Sequence, residues 1–400
     1  NIDFFSNTYE MGSRKELIIN DGGEYHADIY SSNTLALVKK YANHPFPTTE
    51  TQKIVADVRG ANDEFGNSVS ISGDYAIVGA FKEDTDADDA NELSNAGAAY
   101  IFKRDGTSWV QQQKIVASDR APSDYFGWSV SISGDYAIVG AYHEDDATDD
   151  KAGSAYIFKR SGITWTEETK LVPSDRGTNR QFGYSVGISG DYAIIGSRYD
   201  GPGSAYIFER SISTSTWTQV TKLVASVREA GDNFGWSVSI SGDYAIVGAK
   251  YEDHDADDAN ELSNAGSAYI FKRDGTSSWG QQQKIVASDR EAGDDFGYSV
   301  SINGDYAIVG ARYEDEDADD LNTIAGSGSA YIFKRSGTTW AQETKLVASD
   351  RQTTDYFGWS VCINGDYAIV GAPWEDEDAD DNNSLTKAGS AYIFRRSGTT

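Results

Sequence analysis

Five stretches of this 400-residue chain are crowded with carboxylates at alternating positions, the pattern that gathers oxygens around a hard cation. They carry Asp84, Asp86 and Asp88; Asp145 and Asp149; Asp253, Asp255 and Asp257; Asp315, Asp317 and Asp319; and Asp376, Asp378 and Asp380. Each run opens on a glutamate, at Glu83, Glu144, Glu252, Glu314 and Glu375. Calcium takes about six to eight oxygens from carboxylates, carbonyls and water, and alternating aspartates on a loop offer that set. Crowded carboxylates also repel one another, a cost that a cation relieves. Ca2+ is the cofactor this pattern predicts. No run has the Asp-x-Asp-x-Asp-Gly order with a distal glutamate of an EF-hand. A solvated loop that keeps the protein soluble has the same composition.

A second set is aromatic. Trp128, Tyr184, Trp236, Tyr298 and Trp359 each follow a Phe-Gly pair, and Tyr142, Tyr199, Tyr251, Tyr313 and Trp374 open the acidic loops or their counterpart. Aromatic faces beside acids and calcium bind sugars, so the first five are candidate ligand-binding residues; packing between repeats is the alternative use of such rings. No catalytic set emerges. The histidines His26, His44, His143 and His254 share no spacing, and the single cysteine, Cys362, stands where other copies have Ser131, Ser239 or Ser301. Paired carboxylates are too plentiful to single out a glycosidase pair. An enzyme usually breaks its repeat symmetry at one site, and here the departures are small, so the chain reads as non-enzymatic. Asn382, in Asn382-Asn383-Ser384, is a candidate glycosylation site.

A net charge of −29 argues against nucleic acid and anionic membranes as partners. No apolar run is long enough for membrane insertion. The first residue is Asn1 rather than methionine, which fits a removed leader or a fragment.

What must position these groups is a phrase repeated six times, Phe-Gly-x-Ser-Val-x-Ile-x-Gly-Asp-Tyr-Ala-Ile-Val-Gly-Ala, followed by Gly-Ser-Ala-Tyr-Ile-Phe. Its Phe-Gly pairs fall at Phe65, Phe126, Phe182, Phe234, Phe296 and Phe357, at spacings of 61, 56, 52, 62 and 61 residues. Alternating β-branched residues between Gly/Asp/Ser turns make each copy a four-stranded unit. The fourth copy reads as Ser237–Ser241, Asp243–Ala249, Ser267–Lys272 and Gln283–Ala287. A strand-only period of this size predicts an all-β fold, a β-propeller of four-stranded blades. Six blades are expected over residues 49–400, with seven the alternative. Thr51–Ala56 matches Glu343–Ala348 and is expected to complete the last blade and close the ring.

Acidic loops should emerge on one face of the disc and the basic pairs such as Lys103-Arg104 and Lys272-Arg273 on the other. Residues 1–48 lie outside the repeat. Asp21-Gly22-Gly23 predicts a hairpin there, and Leu35–Val38 one more strand. So small a β piece is marginal alone, so Leu17, Ile18, Ile19, Ile29 and Tyr30 are candidate assembly residues. Its partner would be a second copy of the chain, added head to tail into a filament or layer.

With Phe-Gly, Gly-Asp, Gly-Ala and Gly-Ser-Ala-Tyr-Ile-Phe in order six times over residues 49–400, the chain resembles the FG-GAP repeat family, the propeller modules of integrin α-subunits and of many microbial surface proteins. The family's calcium loop between FG and GAP is missing; that interval holds one acid per copy, Asp74, Asp135, Asp191, Asp243, Asp305 or Asp366. The resemblance implies an extracellular or cell-surface scaffold, binding or adhesive, without a known ligand; glycans or surface proteins are the candidate partners beside a second copy of the chain.

Overall fold

The computed structural model describes residues 8–11, 14–20, 24–29, 35–38 and 52–396, apart from 146–147, 276, 320–321 and 377–386. The chain divides into two units, Asn1–Lys53 and Ile54–Thr400. The first is an antiparallel meander of four strands, Thr8–Met11, Arg14–Asn20, Glu24–Ile29 and Leu35–Val38, paired in chain order. The predicted hairpin pairs Asn20 with Glu24, and the Leu35–Val38 strand forms as expected.

The second unit is a six-blade β-propeller with no helix among its described residues. Blade 4 shows the plan: an inner strand Ser237–Ser241, then Tyr244–Ala249, Ser267–Arg273 and an outer strand Trp279–Ile285, paired in chain order. The inner strand alternates half-buried serines with buried Val238 and Ile240, the period of two that a strand requires. Tyr-Ala-Ile-Val-Gly-Ala is instead buried along nearly its whole length, because this second strand is covered on both faces. The core therefore lies between blades. Ile194, Ile207 and Leu223 of blade 3 pack on Phe234, Val238, Val247, Tyr269 and Trp279 of blade 4.

The glycines of the repeated phrase make that packing possible. A Cβ on Gly248 would lie 2.1 Å from the carbonyl oxygen of Gly297, the Phe-Gly glycine of the next blade. Gly140 and Gly196 meet Gly183 and Gly235 in the same way, each at 2.1 Å. Gly297 itself sits at φ 90°, a conformation that side chains rarely adopt. The serine of the inner strand completes the contact: Ser237 Oγ donates to Gly297 O at 2.8 Å.

Blades 1 to 5 have four strands, and the sheet of blade 6 shows three among the described residues, Ser360–Asn364, Tyr367–Ala372 and Ser390–Arg395. Here the structure corrects the expected closure. Gln52–Ala56 forms no strand, and Thr51 lies outside the described residues. Ala56 packs instead against Val78, Ala98 and Tyr100 of blade 1, and Asp57 N–H donates to Gln111 Oε1 at 2.9 Å. Ser226 N–H meets Gln281 Oε1 at 3.0 Å in the same way in front of blade 4, so the segment takes the place in front of blade 1 that an outer strand's tail takes in front of the next blade. Val69 and Ile71 of blade 1 remain 67% and 66% exposed, against 6% and 5% for Val130 and Ile132 in blade 2. Ile369 and Ile393 on the far side of blade 6 are 42% and 50% exposed.

Candidate binding face

The five Phe-Gly aromatics, far apart in sequence, meet. Trp128–Tyr184, Tyr184–Trp236, Trp236–Tyr298 and Tyr298–Trp359 have ring centroids 5.5, 4.9, 5.5 and 5.0 Å apart, and all five residues are half-buried. Trp128, Trp236, Tyr298 and Trp359 each precede an inner strand, Tyr184 lies near the start of one, Phe182–Ser189, and neighbouring inner strands pack on one another, so the rings form an arc around the propeller axis. Tyr142 and Phe81 extend it beside Trp128, at 4.7 and 4.8 Å.

Sequence reasoning missed what stands between the rings. Arg198 lies over Tyr184 and Trp236 at 3.8 and 4.8 Å, Lys250 over Trp236 and Tyr298 at 3.5 and 5.2 Å, and Arg312 over Tyr298 and Trp359 at 4.0 and 4.9 Å. These cations occupy the single position between Gly-Ala or Gly-Ser and the next aromatic, where blades 1, 2 and 6 have Phe81, Tyr142 and Pro373. Arg312 pairs with Asp295 at 3.0 Å. Lys250 is 3% exposed, and burial lowers its ammonium to about 8, with Asp295 opposing that shift. The result is a cationic, aromatic strip on the face from which the acidic loops emerge.

In those loops the opening glutamates turn inward. Glu144, Glu252 and Glu314 are buried and pair with an outer-strand lysine, Lys170, Lys284 and Lys345, at 2.8, 2.8 and 3.0 Å. Lys170 also meets Asp119, and Lys345 meets Asp289, from the segment joining the preceding blade, each at 2.6 Å. In blades 1 and 4 that joining position holds Val58 or Val227, and the loop supplies the second carboxylate instead: Asp89 to Lys114 at 2.7 Å and Asp258 to Lys284 at 2.8 Å. The tyrosine hydroxyl that donates to Asp119 in blade 2 has no hydrogen-bond partner among the described residues in blade 4, at Tyr269.

The predicted metal ligands are spread over different tasks. Asp84, Asp253 and Asp315 accept the backbone N–H of Asn95, Asn264 and Gly326 at 2.6, 2.7 and 2.6 Å, closing their loops. Asp145 and Asp376 accept those of Lys151 and Lys387, each at 2.5 Å. Asp86 accepts from Asp88 and Ala90 N–H, each at 3.0 Å, and these bonds with that from Asn91 lower its carboxyl to about 2. Asp255 does the same, through Asp257 and Ala259, and Asp317 accepts from Asp319 N–H at 3.1 Å. Asp149 accepts from Thr178 at 3.2 Å. Asp88, Asp257 and Asp319 keep exposed side chains at the loop tips. Among the described residues no three acids or histidines converge as a metal cage. Asp378, Asp380 and Asn382 lie outside the described residues.

On the other face the Gly-Asp acids hold the basic residues. Arg104, Arg160, Arg210, Arg273, Arg335 and Arg396 pair with Asp74, Asp135, Asp191, Asp243, Asp305 and Asp366. That face is therefore closer to neutral than its lysines and arginines alone suggest. Of the assembly candidates, Leu17, Ile18 and Ile19 lie in the second N-terminal strand and Ile29 ends the third, while Tyr30 lies outside the described residues.

Blades of this repeat around an aromatic strip define a propeller built from tandem copies of one unit. The chain belongs to the FG-GAP repeat family, which matches residues 48–102, 109–158, 165–208, 217–271, 279–333 and 340–394. No curated protein matches the sequence. A solved structure of a protein from Lactobacillus plantarum is similar to the chain, with a TM-score of 0.50 and 12% identity over 93% of this chain and 95% of that one. That likeness shows the fold alone. Among the described residues no helix is long and apolar enough to cross a membrane.

Proposed function

We propose that this chain is a non-enzymatic, extracellular binding propeller that holds carbohydrate on its aromatic arc. The observation that carries the reading is the convergence of Trp128, Tyr184, Trp236, Tyr298 and Trp359 into one half-buried row. Flat apolar faces of sugar rings stack on such rings, and a row of them engages several residues of a polysaccharide at once. Calcium enters as a partner of the exposed loop carboxylates Asp88, Asp257 and Asp319, beside the same face. A glycan array probed with the native chain and with Trp128→Ala and Trp359→Ala, in calcium and in chelator, tests both. Binding lost in the variants at unchanged melting temperature supports the arc; binding indifferent to all of them refutes it. Loss in chelator alone separates the calcium claim from the sugar claim.

A second reading, self-assembly into a surface layer or filament, draws on the N-terminal unit. Its four described strands form one sheet, with Thr8–Met11 and Leu35–Val38 as its edges among the described residues, which another chain's strand can extend.

A further inference from the structure

Arg198, Lys250 and Arg312 each stand between an inner ring and an outer one. Tyr184 and Tyr199 lie 3.8 and 4.5 Å from Arg198, Trp236 and Tyr251 lie 3.5 and 4.1 Å from Lys250, and Tyr298 and Tyr313 lie 4.0 and 4.3 Å from Arg312. The fold does not need a charge there, since blades 1, 2 and 6 hold Phe81, Tyr142 and Pro373 at the same position. Nor are the charges balanced. Asp295 Oδ2 takes Arg312, at 3.1 Å from its Nε and 3.0 Å from its Nη2. Arg198 donates its Nε–H to Gln181 Oε1 at 2.7 Å, a neutral partner, and pairs with no carboxylate among the described residues. Lys250 is almost fully buried, and its Nζ makes no hydrogen bond or ion pair among the described residues. The charges that act on it most are Asp295, already engaged by Arg312, and the like charges of Arg312 and Arg198. Burying an ammonium without an acceptor is costly, and ring faces offset only part of that cost.

We propose that the ligand of this face is an acidic oligosaccharide whose anionic groups, carboxylate or sulfate, are taken by Arg198 and Lys250. The inference rests on the carbohydrate reading of the arc and adds the charge class of the sugar. Three cations against the single carboxylate of Asp295 leave two positive charges for a ligand to meet. An ammonium and a guanidinium both form charge-assisted hydrogen bonds with either anion, and such bonds are strong where water is excluded. The outer rings over Arg198 and Arg312, Tyr199 and Tyr313, are exposed, so sugar faces can lie along them while the anionic groups reach the cations beneath. The exposed Asp88, Asp257 and Asp319 of the acidic loops limit the charge density the face accepts. They repel a polymer charged at every unit, and a glycan with charges on alternate sugars suits the two cations better.

The test measures the affinity of the full chain, by titration calorimetry, for two pairs of oligosaccharides that differ only in charge. One pair is a hyaluronan tetrasaccharide and its methyl ester, and the other a carrageenan tetrasaccharide and its desulfated form. The charged member should bind about tenfold or more tightly than its neutral twin in at least one pair, as for hydrogen bonds made to charged groups. The pair that shows the preference tells carboxylate from sulfate. Arg198→Phe and Lys250→Phe install the residue that blade 1 carries at this position, Phe81, and each should bring the ratio of affinities toward one. Equal affinity within both pairs overturns the inference and leaves the carbohydrate reading standing. A preference that both variants retain overturns it too, because the anion is then read elsewhere. Failure to bind any of the four overturns it as well; a glycan array that still finds a neutral ligand then keeps the carbohydrate reading, and a blank array removes both.

Discussion

Residues with the same chemistry do opposite work in this protein, and their depth in the blade decides which. Asp86 lies at the surface, where backbone donors hold its carboxyl near 2. Asp124, Asp232 and Asp294 cap the turn before a Phe-Gly pair, accepting the N–H of Ala121, Glu229 and Glu291 at 2.6, 2.7 and 2.6 Å. Burial raises these three to about 7, 6 and 8, against which the turn hydrogen bonds pull only partly. A carboxyl raised on folding binds its proton more tightly in the native state, so its stabilisation is full below about pH 4, the unfolded value, and is lost as pH rises through the folded one. For Asp294 the window runs from about pH 4 to about 8. Asp294→Asn keeps an oxygen for Glu291 N–H and removes the charge. Its melting temperature should exceed that of the native chain at pH 8, by an equivalent of roughly 2 kcal/mol, and match it near pH 4. Equal shifts at both pH values would mean that the aspartate ionises freely in the fold.

At the scale of the strand and loop, the repeated phrase records contacts between neighbouring blades more than contacts within one. Gly248 is required by the carbonyl of Gly297 at 2.1 Å from where its Cβ would be, a backbone atom that cannot swing aside. Gly371 occupies the same position in blade 6, yet the nearest atom to its Cβ site is Ser360 Oγ at 2.5 Å, on a side chain that can rotate. Gly248→Ala should therefore destabilise the propeller by about 3 kcal/mol or more, and Gly371→Ala by less than about 1 kcal/mol, as read from chemical denaturation. Equal costs would place another blade's backbone over Gly371 and close the ring there. The three inner strands of each copy, the strand order and the N-terminal hairpin were legible because alternation and Gly/Asp turns are local signals, whereas the outer strand of the fourth copy runs Trp279–Ile285 and not Gln283–Ala287 as expected. The convergence of Trp128, Tyr184, Trp236, Tyr298 and Trp359 was legible only as a recurrence, since their separation in sequence exceeds 50 residues at each step. The interleaved Arg198, Lys250 and Arg312 occur in only three copies and so escape a consensus. The acidic runs misled for a different reason: sequence shows five similar carboxylate strings, and only the loop backbone decides that Glu252 turns in to Lys284 while Asp253 turns to Asn264 N–H.

For the molecule as a whole, a charge of −29 opposes any association that brings acidic loops together. The pairing of Arg104, Arg160, Arg273 and Arg335 with the Gly-Asp acids weakens the basic face that head-to-tail attraction would need. Electrostatic stacking of propellers would also fade at high salt, since exposed charges are screened beyond about 10 Å at 0.1 M. Strand-edge pairing is different: its hydrogen bonds and apolar contacts survive screening, and the N-terminal sheet brings two such edges. Self-assembly in this protein should accordingly depend on residues 1–48 and not on ionic strength. Light scattering on the native chain should report a mass above the monomer at low and high salt alike. The chain lacking residues 1–48 should be monomeric in both, with the β signal of the propeller retained in circular dichroism and only that of the four N-terminal strands lost. A native chain that is already monomeric sinks the assembly reading, and particles that dissolve with salt transfer it from the sheet edges to the charged faces.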